Sequence, residues 1–447
     1  MLTPDQARQM AQDLVERGKQ AGADAADALY VADRSSSVQV RLGELEHVDS
    51  SEGEQMALRL FVGRRSASVA SSDFSEESLR ALVERGMAMA AEAPEDPYAG
   101  LAPDALLHSG PDAEIDVVDN TELDPQQMRA MALAAEDAAR AVAGVTNSSG
   151  GSAGSSAAVM ALATSAGFAG AYASTGYSCS AGVIAGEGAT MQRDYASHSV
   201  RHFADLDGPE EIGSLAGERA VARVGPVPVK GGRMPVIFDP RVSGSLLGHF
   251  IGAITGSSIA RKASFLQDKL GQMLFREDVT IVDDPLRPRG LRSRPFDAEG
   301  VRVARKELVS GGILTSWIAD SASARQLGID PTGNAVRSGG SPGAGPSNLV
   351  LMPGNRSREE LLATFPEAIV VTELIGHGVN SVTGDYSRGA AGFLLRNGEI
   401  VSPVAEITIA SNLIEMFANM DPGSDLELRR GIDAPTVLIP EMTVASA

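Results

Sequence analysis

The chain has 447 residues, of which 43% are hydrophobic and 21% charged, a composition typical of a globular protein with room for two or three domains. Its formal net charge of −20 argues against a protein that binds a phosphate backbone, and no apolar run reaches the roughly 18 residues of a membrane span. The single cysteine, Cys179, excludes an internal disulfide and a multi-thiolate metal site. Together with a polar N-terminus, it leads us to expect a cytoplasmic protein without a signal peptide.

The first half of the sequence predicts the order helix, antiparallel strands, helix, twice in succession. The first copy has a helix at 4–20, strands at 25–32, 36–42, 54–62 and 66–70, and a helix from the Ser75 cap to about residue 92. After a Pro- and Gly-rich connection at 93–111, the second copy has a short strand at 117–118, a helix at 124–142, a Gly/Ser-rich strand region at 145–188 with a loop-like tract at 148–156, and a helix at 212–224. We interpret this as a structural duplication of 1–110 and 111–225.

The second half begins with the stretch around which the rest is organised, residues 234–275. A buried strand at 234–238 leads into Asp239-Pro240, a good helix cap followed by a good first helical residue. The helix that follows carries an apolar stripe, three glycines and the lone His249. Because each glycine costs a helix about 1 kcal/mol relative to alanine, we expect another group to press closely against it.

Strands dominate the remainder, which favours an α+β fold over a doubly wound α/β fold. They are predicted at 280–282, 301–308, 313–318, 349–352, 368–373, 389–396, 399–402, 404–409 and 436–439, with a helix at 411–420. Gly225-Pro226-Val227-Pro228 marks the clearest boundary. We therefore predict a duplicated helix/antiparallel-sheet domain at 1–225 and a strand-rich domain at 226–447.

Three groups of residues could carry chemistry. Asp194, His198 and His202 are four apart, as metal ligands on one helix face are, but no Glu follows His198 and the segment fits a strand equally well. Asp283 and Asp284 could act as an acid/base pair or hold a metal, although carboxylates among arginines more often order a loop.

The third group is the glycine-rich segment from 373 to 389. It could suggest a nucleophilic Ser387 with a His and an Asp, but Gly-x-Ser-x-Gly is absent there. A loop lining a peptide groove is the simpler interpretation. Cys179, in an alternating strand, is predicted to be a small packed residue.

Five sequence segments resemble the PmbA/TldE side of the TldD/PmbA family, in the family's order and over nearly the whole chain. They are Arg193-Asp194-Tyr195 with Ser199-Val200-Arg201, Ala263-Ser264-Phe265-Leu266 with Lys269-Leu270-Gly271-Gln272, Asp283-Asp284-Pro285 through Phe296-Asp297-Ala298-Glu299-Gly300, Thr383-Gly384-Asp385-Tyr386-Ser387-Arg388-Gly389-Ala390-Ala391-Gly392-Phe393, and Asn397-Gly398-Glu399 to Asn412-Leu413.

The resemblance implies a cytoplasmic two-part peptidase that trims unstructured peptides, including leader peptides of peptide antibiotics, and that is linked by name to DNA gyrase modulation. Its TldD-type subunit carries zinc on a His-Glu-x-x-x-His helix with a later cysteine, and its TldE-type subunit lacks those ligands. In this sequence Gly248, His249 and Ala253 stand at the first His, the Glu and the second His position. We therefore expect no metal and no catalytic residue in this chain, and zinc in a TldD-type partner.

We expect this chain to help form the groove that holds the peptide. Our candidates for lining it are Gly376, His377, Gly378, Asn380, Gly384, Asp385 and Ser387. An alternative is a stand-alone peptide-binding or modulator protein, which forms a homodimer when alone. A third hypothesis is an independent hydrolase that uses Asp283, Asp284 or Ser387. None of these hypotheses involves nucleic acid or a membrane.

Overall fold

The computed structural model describes residues 1–446, without the side chain of Ala189, and confirms the α+β prediction. The predicted domain 226–447 ends at Ala447, which lies outside the described residues. No helix within 1–446 combines the length and the hydropathy needed to cross a bilayer. The division at residue 225 stays a prediction.

The first half contains four helices and six strands. In chain order they are α1 Pro4–Gln20, β1 Ala25–Arg41, β2 Glu44–Val62, β3 Arg65–Ser71, α2 Glu76–Glu92, α3 Pro125–Ala141, β4 Val145–Thr164, β5 Ala169–Ala185, β6 Gln192–Val200 and α4 Pro209–Ala222. The side chains of Thr3, Ser75 and Asp124 each accept a backbone N–H at the start of their helix, as the cap signals predict.

All six strands form one antiparallel sheet in the order β3-β2-β1-β4-β5-β6. Side chains alternate between its two faces. Tyr30 and Leu58 face α1 and α2, and Ala181 and Val183 face α3 and α4. Leu29, on the opposite face, packs with Phe296 of the second half. The sheet therefore has helices on one side and the second half of the chain on the other.

The second half contains five helices and thirteen strands within the described residues. They are β7 Gly232–Phe238, α5 Pro240–Ile254, α6 Gly256–Ala260, β8 Ile281–Asp284, β9 Lys306–Ser310, β10 Ile313–Leu314, α7 Ser321–Leu327, β11 Ala335–Val336, β12 Gly343–Ala344, β13 Asn348–Leu351, α8 Arg358–Leu362, β14 Glu367–Ile375, β15 Asp385–Arg396, β16 Glu399–Asn412, α9 Leu413–Asn419, β17 Asp421–Pro422, β18 Ile432–Asp433 and β19 Val437–Ser446.

The larger sheet of this half has the order β16-β15-β14-β7-β19-β17, and β16 also pairs with β19. The strands β16, β15, β14, β7 and β19 therefore form a closed ring. The smaller sheet has the order β10-β9-β8-β13-β18. Between these elements, α5 contributes Leu246, Leu247 and Phe250 to the largest hydrophobic core, where the Phe250 ring packs edge-on against Phe275 and Phe417.

Several predicted elements were wrong in extent. The predicted strands 25–32 and 36–42 are one strand, β1, because β2 and β4 pair with it on both sides through its polar residues. The predicted strands 399–402 and 404–409 are one strand, β16, because β15 stays paired with it across Pro403. The tract 148–156 is part of β4 and is not a loop.

Other predicted elements are shorter or missing. Residues 117–118 form no strand, since they contact β5 by single hydrogen bonds from Thr175. The strands predicted at 301–308 and 313–318 shrink to β9 and β10, and the short helices α7 and α8 were not predicted.

Candidate functional site

The helix α5 is fixed at its start by charge and along one side by the core. The Asp239 carboxylate accepts the Arg241 N–H at 3.0 Å, and its second oxygen accepts Arg358 Nη2 at 2.7 Å. The negative charge of the Asp239 carboxylate also interacts favourably with the positive end of the helix dipole. The buried apolar side chains then set the rotation of the helix, so that Gly248 and Gly252 lie on its exposed side.

The expected close contact on the α5 glycines occurs at only one of them. A Cβ on Gly244 would lie 3.2 Å from the Ile432 carbonyl oxygen of β18, whereas a Cβ on Gly248 or Gly252 would meet no described atom within 4 Å. The expectation was therefore correct at Gly244 and wrong at the other two, where the helix borders open space in this chain.

The three positions at which the resemblance places zinc-helix residues differ in environment. Gly248 is exposed, Ala253 is buried, and His249 is half-buried with its ring edge-on to Tyr386 at 5.9 Å between centroids. Burial lowers the pKa of His249, and the positive charge of Arg388 lowers it further. The imidazole is therefore neutral near pH 7.

These residues do not fit a zinc ion. Zinc takes three or four His, Cys, Asp or Glu ligands, and His249 is the one such group among the three positions. The nearby Arg388 guanidinium is a fixed positive charge that repels a cation. Within residues 1–446, no group of three or more His, Cys, Asp or Glu side chains is arranged to hold a metal.

Four polar side chains on α5, β14 and β15 have buried atoms that no described neighbour satisfies: Tyr386 and Arg388 lie near His249, and Thr372 lies further along the sheet, opposite Ala391 and Gly392. The buried atoms His249 Nε2, Thr372 Oγ1, Tyr386 OH and Arg388 Nε have no hydrogen-bond partner in the described chain. We call these four residues the open cluster. Tyr386 and Arg388 are two apart on β15, so they share one face of the strand. Thr372 lies at a bulge of β14, and its side chain is 8% exposed.

A cavity of about 590 Å³ opens beside the open cluster, between the two halves of the chain. Thr372 and Arg388 line it, together with Ser149, Gly182, Arg193, Asp194, Tyr195, Arg223, Arg241, Val242, Ser245, Glu373 and Leu374. Four arginines and two carboxylates give this lining a formal charge of +2, although the whole chain carries −20.

Both carboxylates of the cavity are already paired. Asp194 binds Arg241, with one contact at 3.2 Å, and accepts from Arg223 at 3.5 Å. Arg223 also pairs with Glu373. Burial raises the pKa of Asp194, but Arg241 and Arg223 outweigh it and hold that pKa below its usual range. Among the described residues, no carboxylate lies within ion-pair distance of Arg388.

The loop at 376–384 connects β14 to β15 and folds back on β15. Asn380 Oδ1 accepts the Val382 and Thr383 N–H groups at 2.9 and 3.2 Å, and Asn380 N–H donates to the Asp385 carbonyl at 2.9 Å. The Thr383 and Asn412 side chains hydrogen-bond the Asp385 carboxylate and lower its pKa.

Different structural features account for the glycine at each position of this loop. A Cβ on Gly378 would lie 1.8 Å from the Ser387 carbonyl oxygen, and Gly384 has φ +81° with the Phe265 ring 3.3 Å from a would-be Cβ. Gly376 has φ +79° with open space around it. His377 and Ser387 are exposed. The assignment of this loop to peptide binding stays a prediction.

The other predicted constellations are not assembled. The helix considered for Asp194, His198 and His202 was wrong, because β6 contains the first two, and each residue has its own partner: Arg241, Asp207 and Asp116.

Asp283 belongs to β8 and Ser387 to β15, in different sheets. Asp283 accepts hydrogen bonds from Asn334 and Ser347, which favours its interpretation as a residue that orders a loop. Cys179 is buried, and burial raises its pKa to about 11, as a packed thiol requires.

Sequence reasoning missed Thr372, Tyr386 and Arg388 as a group. The last two lie in the quoted Asp385-Tyr386-Ser387-Arg388 segment, and strand alternation predicts that they share a face. The contact of that face with His249 depends on tertiary packing, and no spacing in the sequence signals it.

Comparison with known proteins identifies the family. Models of the PmbA/TldA metallopeptidase family match residues 26–90 with domain 1, 119–224 with the central domain and 231–446 with the C-terminal domain. Metalloprotease PmbA of Escherichia coli O157:H7 is 39% identical over 412 residues, which is 92% of this chain and 89% of PmbA.

Two solved structures have the same fold. A candidate modulator of DNA gyrase from Bacteroides thetaiotaomicron is 27% identical, with a TM-score of 0.92 and 100% of both chains covered. TldE from Thermococcus kodakarensis is 21% identical, with a TM-score of 0.87 and 98% and 100% covered, a likeness that shows the fold alone. With three matching family domains and a relative of similar length at 39% identity, the chain belongs to the PmbA/TldD metallopeptidase family, on its PmbA/TldE side.

Proposed function

We propose that this chain is the subunit without zinc of a two-chain metallopeptidase that degrades unstructured peptides in the cytoplasm. A TldD-type chain with the His-Glu-x-x-x-His helix supplies zinc and the catalytic residues, and this chain forms part of the peptide groove. The observation that carries the proposal is the donor set around α5. One neutral imidazole, His249, and one fixed cation, Arg388, stand near the position of a zinc site and are unsuited to the metal.

A free strand edge supports the role in holding a peptide. β14 pairs with β7 only over Ile369–Val371, and in the described chain no strand pairs with that side of Thr372–Ile375. Thr372, Glu373 and Leu374 of this free segment line the cavity. An extended peptide can add to such an edge through main-chain hydrogen bonds, which bind without regard to sequence. Such binding suits unfolded substrates.

The open side of α5 lies in the same region. Gly248 and Gly252 are on the helix that contributes Val242 and Ser245 to the cavity, and no described atom fills the space beside them. A helix keeps glycine at such positions when a second molecule approaches its backbone closely. We assign that space to the peptide or to the partner chain.

The test uses this chain and the homologous His-Glu-x-x-x-His chain of the same organism, each purified alone and then mixed. We expect zinc in the partner alone, a complex of the two chains on size-exclusion chromatography, and cleavage of an unfolded peptide by the mixture that a chelator abolishes. Stoichiometric zinc in this chain alone contradicts the proposal. Chelator-resistant cleavage by this chain alone indicates an independent hydrolase.

The same measurement distinguishes the two-chain proposal from the stand-alone alternative. The 27% identical structure from Bacteroides thetaiotaomicron is described as a candidate modulator of DNA gyrase, which keeps a role without a peptidase partner open to test. A chain that remains a homodimer in the presence of the zinc-bearing homologue, and does not change its peptide cleavage, favours that alternative.

A further inference from the structure

The open cluster has an excess of hydrogen-bond donors and positive charge. An arginine donates and never accepts, and a neutral histidine, a threonine and a tyrosine can each donate one proton. All four have a buried polar atom without a partner in the described chain, and Tyr386 is only 1% exposed. Leaving such atoms unpaired is costly, and leaving a half-buried guanidinium without an anion is costlier still. Arg388, the one charged member of the open cluster, therefore has no anionic acceptor within the described chain.

The surrounding charges favour the same ligand. The cavity beside the cluster has a formal charge of +2, and its two carboxylates are occupied by Arg223 and Arg241. The cation that remains without a carboxylate inside the cavity is Arg388, whereas Arg193 is exposed. The positive lining of this cavity favours an anion locally, against the repulsion from a chain of net charge −20.

We propose that Thr372 and Arg388 of the open cluster form a carboxylate-binding subsite in the cavity, in which Arg388 forms an ion pair with a carboxylate of the bound peptide while Thr372 donates a hydrogen bond to it. A carboxylate is the anion that a peptide offers, either at its C-terminus or on an Asp or Glu side chain, and its planar shape matches a guanidinium. This inference rests on the proposed peptide-binding function. It gives this chain a binding preference among peptides, which main-chain pairing alone does not provide.

The position of the subsite agrees with the free strand edge. Thr372 belongs both to the open cluster and to the unpaired segment of β14, and Arg388 lines the same cavity. A peptide added along Thr372–Ile375 therefore runs past the subsite, so that one of its carboxylates can reach Arg388 while its main chain stays paired to β14.

The test measures binding by the full-length chain alone, with peptides of Gly, Ser and Ala that carry an uncharged methoxycoumarin label at the N-terminus. One pair of peptides differs only in a free or amidated C-terminus, and a second, amidated pair differs only in one internal Asp or Asn. We expect the carboxylate-bearing member of at least one pair to bind about tenfold more tightly than its neutral partner, and to raise the melting temperature of the chain. Preference in the first pair identifies the C-terminus as the source, and preference in the second identifies a side chain.

Variants locate the subsite. Arg388→Gln should abolish the preference, Thr372→Val should reduce it about threefold or more, and Arg64→Gln, an equal charge change at an exposed position outside the cavity, should leave it within about twofold. If Arg388→Gln fails to fold, Thr372→Val still decides. Equal binding of every acid and neutral pair overturns the inference, as does an equal loss in Arg64→Gln and Arg388→Gln.

The outcome is separable from that of the proposed function. Pairing with the zinc-bearing chain and chelator-sensitive cleavage, without any preference for carboxylates, contradict this inference alone. A preference that depends on Arg388, in a chain that never pairs with the zinc-bearing homologue, contradicts the two-chain proposal and retains the subsite.

Discussion

Two groups of residues between the halves of the chain contain arginines, and the groups differ in whether that positive charge is neutralised. In the first, which we call the paired cluster, Asp27 of β1 binds Arg59 of β2 and Arg337 of the second half, and Glu299 lies 3.6 Å from Arg59. In the open cluster, Arg388 has no carboxylate. Charges that are paired within the chain hold its two halves together. The charge of Arg388 has no such partner, and we propose that it binds an anion from solution.

The largest difference should appear when the same substitution is made in each cluster. Arg59→Gln leaves Asp27 and Glu299 buried with less positive charge, and we expect a loss of about 3–5 kcal/mol in the free energy of unfolding. Arg388→Gln breaks no ion pair or hydrogen bond in the described chain, so we expect a change below about 1 kcal/mol. Urea denaturation of the purified variants measures both. Similar losses would show that Arg388 is a structural residue too.

Acid should weaken the paired cluster through Asp27. Burial raises the pKa of Asp27, but Arg59 and Arg337 outweigh it and hold the pKa below its usual range. A carboxyl group whose pKa is lowered by folding stabilises the fold above its unfolded pKa of about 3.9, and that stabilisation is lost as the pH falls through the lower folded value. The difference in unfolding free energy between wild type and Asp27→Asn should therefore be full near pH 6 and shrink below about pH 4.

The control for Asp27→Asn is the variant Asp5→Asn. Asp5 forms an exposed ion pair with Arg8, which contributes little at any pH. A difference for Asp27→Asn that stays constant down to the acid transition would contradict the prediction, since it would mean that the carboxylate charge does not stabilise the fold.

Removal of one paired and one unpaired hydroxyl group should show the same contrast between satisfied and unsatisfied residues, with a smaller loss in the free energy of unfolding. Ser347 is fully buried and donates to Asp283 at 2.7 Å, so Ser347→Ala should cost about 2 kcal/mol. Thr372→Val removes a hydroxyl that has no partner, and we expect a change within about 0.5 kcal/mol or a small gain in stability. Thermal and urea unfolding test both variants. A loss for Thr372→Val as large as that for Ser347→Ala would indicate that water or a hidden contact already satisfies Thr372.

The sequence predicted helices better than strand extents, for a local reason. Thr3, Asp124 and Asp239 are caps that act within three residues, and the helices they begin were predicted at the right place. The tract at 148–156 was misassigned because its Gly and Ser content is typical of loops. There Gly151 is required by packing, since a Cβ would lie 2.1 Å from the Ala132 carbonyl of α3.

The candidate site was predicted in part. The resemblance directed attention to α5 and His249, and strand alternation places Tyr386 and Arg388 on one face of β15. His249 comes close to Tyr386 and Arg388 across more than 100 residues of sequence, and what makes these residues unusual is the absence of hydrogen-bond partners in the fold. A missing hydrogen bond leaves no pattern in a sequence, so this feature of the site required the structure.

The smallest effects should come from the open side of α5, and they separate the helix itself from what it contacts. Gly248→Ala and Gly252→Ala should each raise the free energy of unfolding of the chain alone by about 0.5–1 kcal/mol, because the new methyl group meets open space and alanine favours a helix. Gly244→Ala is the matched control, with the Ile432 carbonyl 3.2 Å from the new Cβ, and should gain less or lose stability. If a peptide or partner approaches α5 closely, the two stabilised variants will cleave peptide more slowly in the mixed complex. Higher stability with unchanged cleavage would mean that the space beside Gly248 and Gly252 is unused, and that the glycines there have no role in binding.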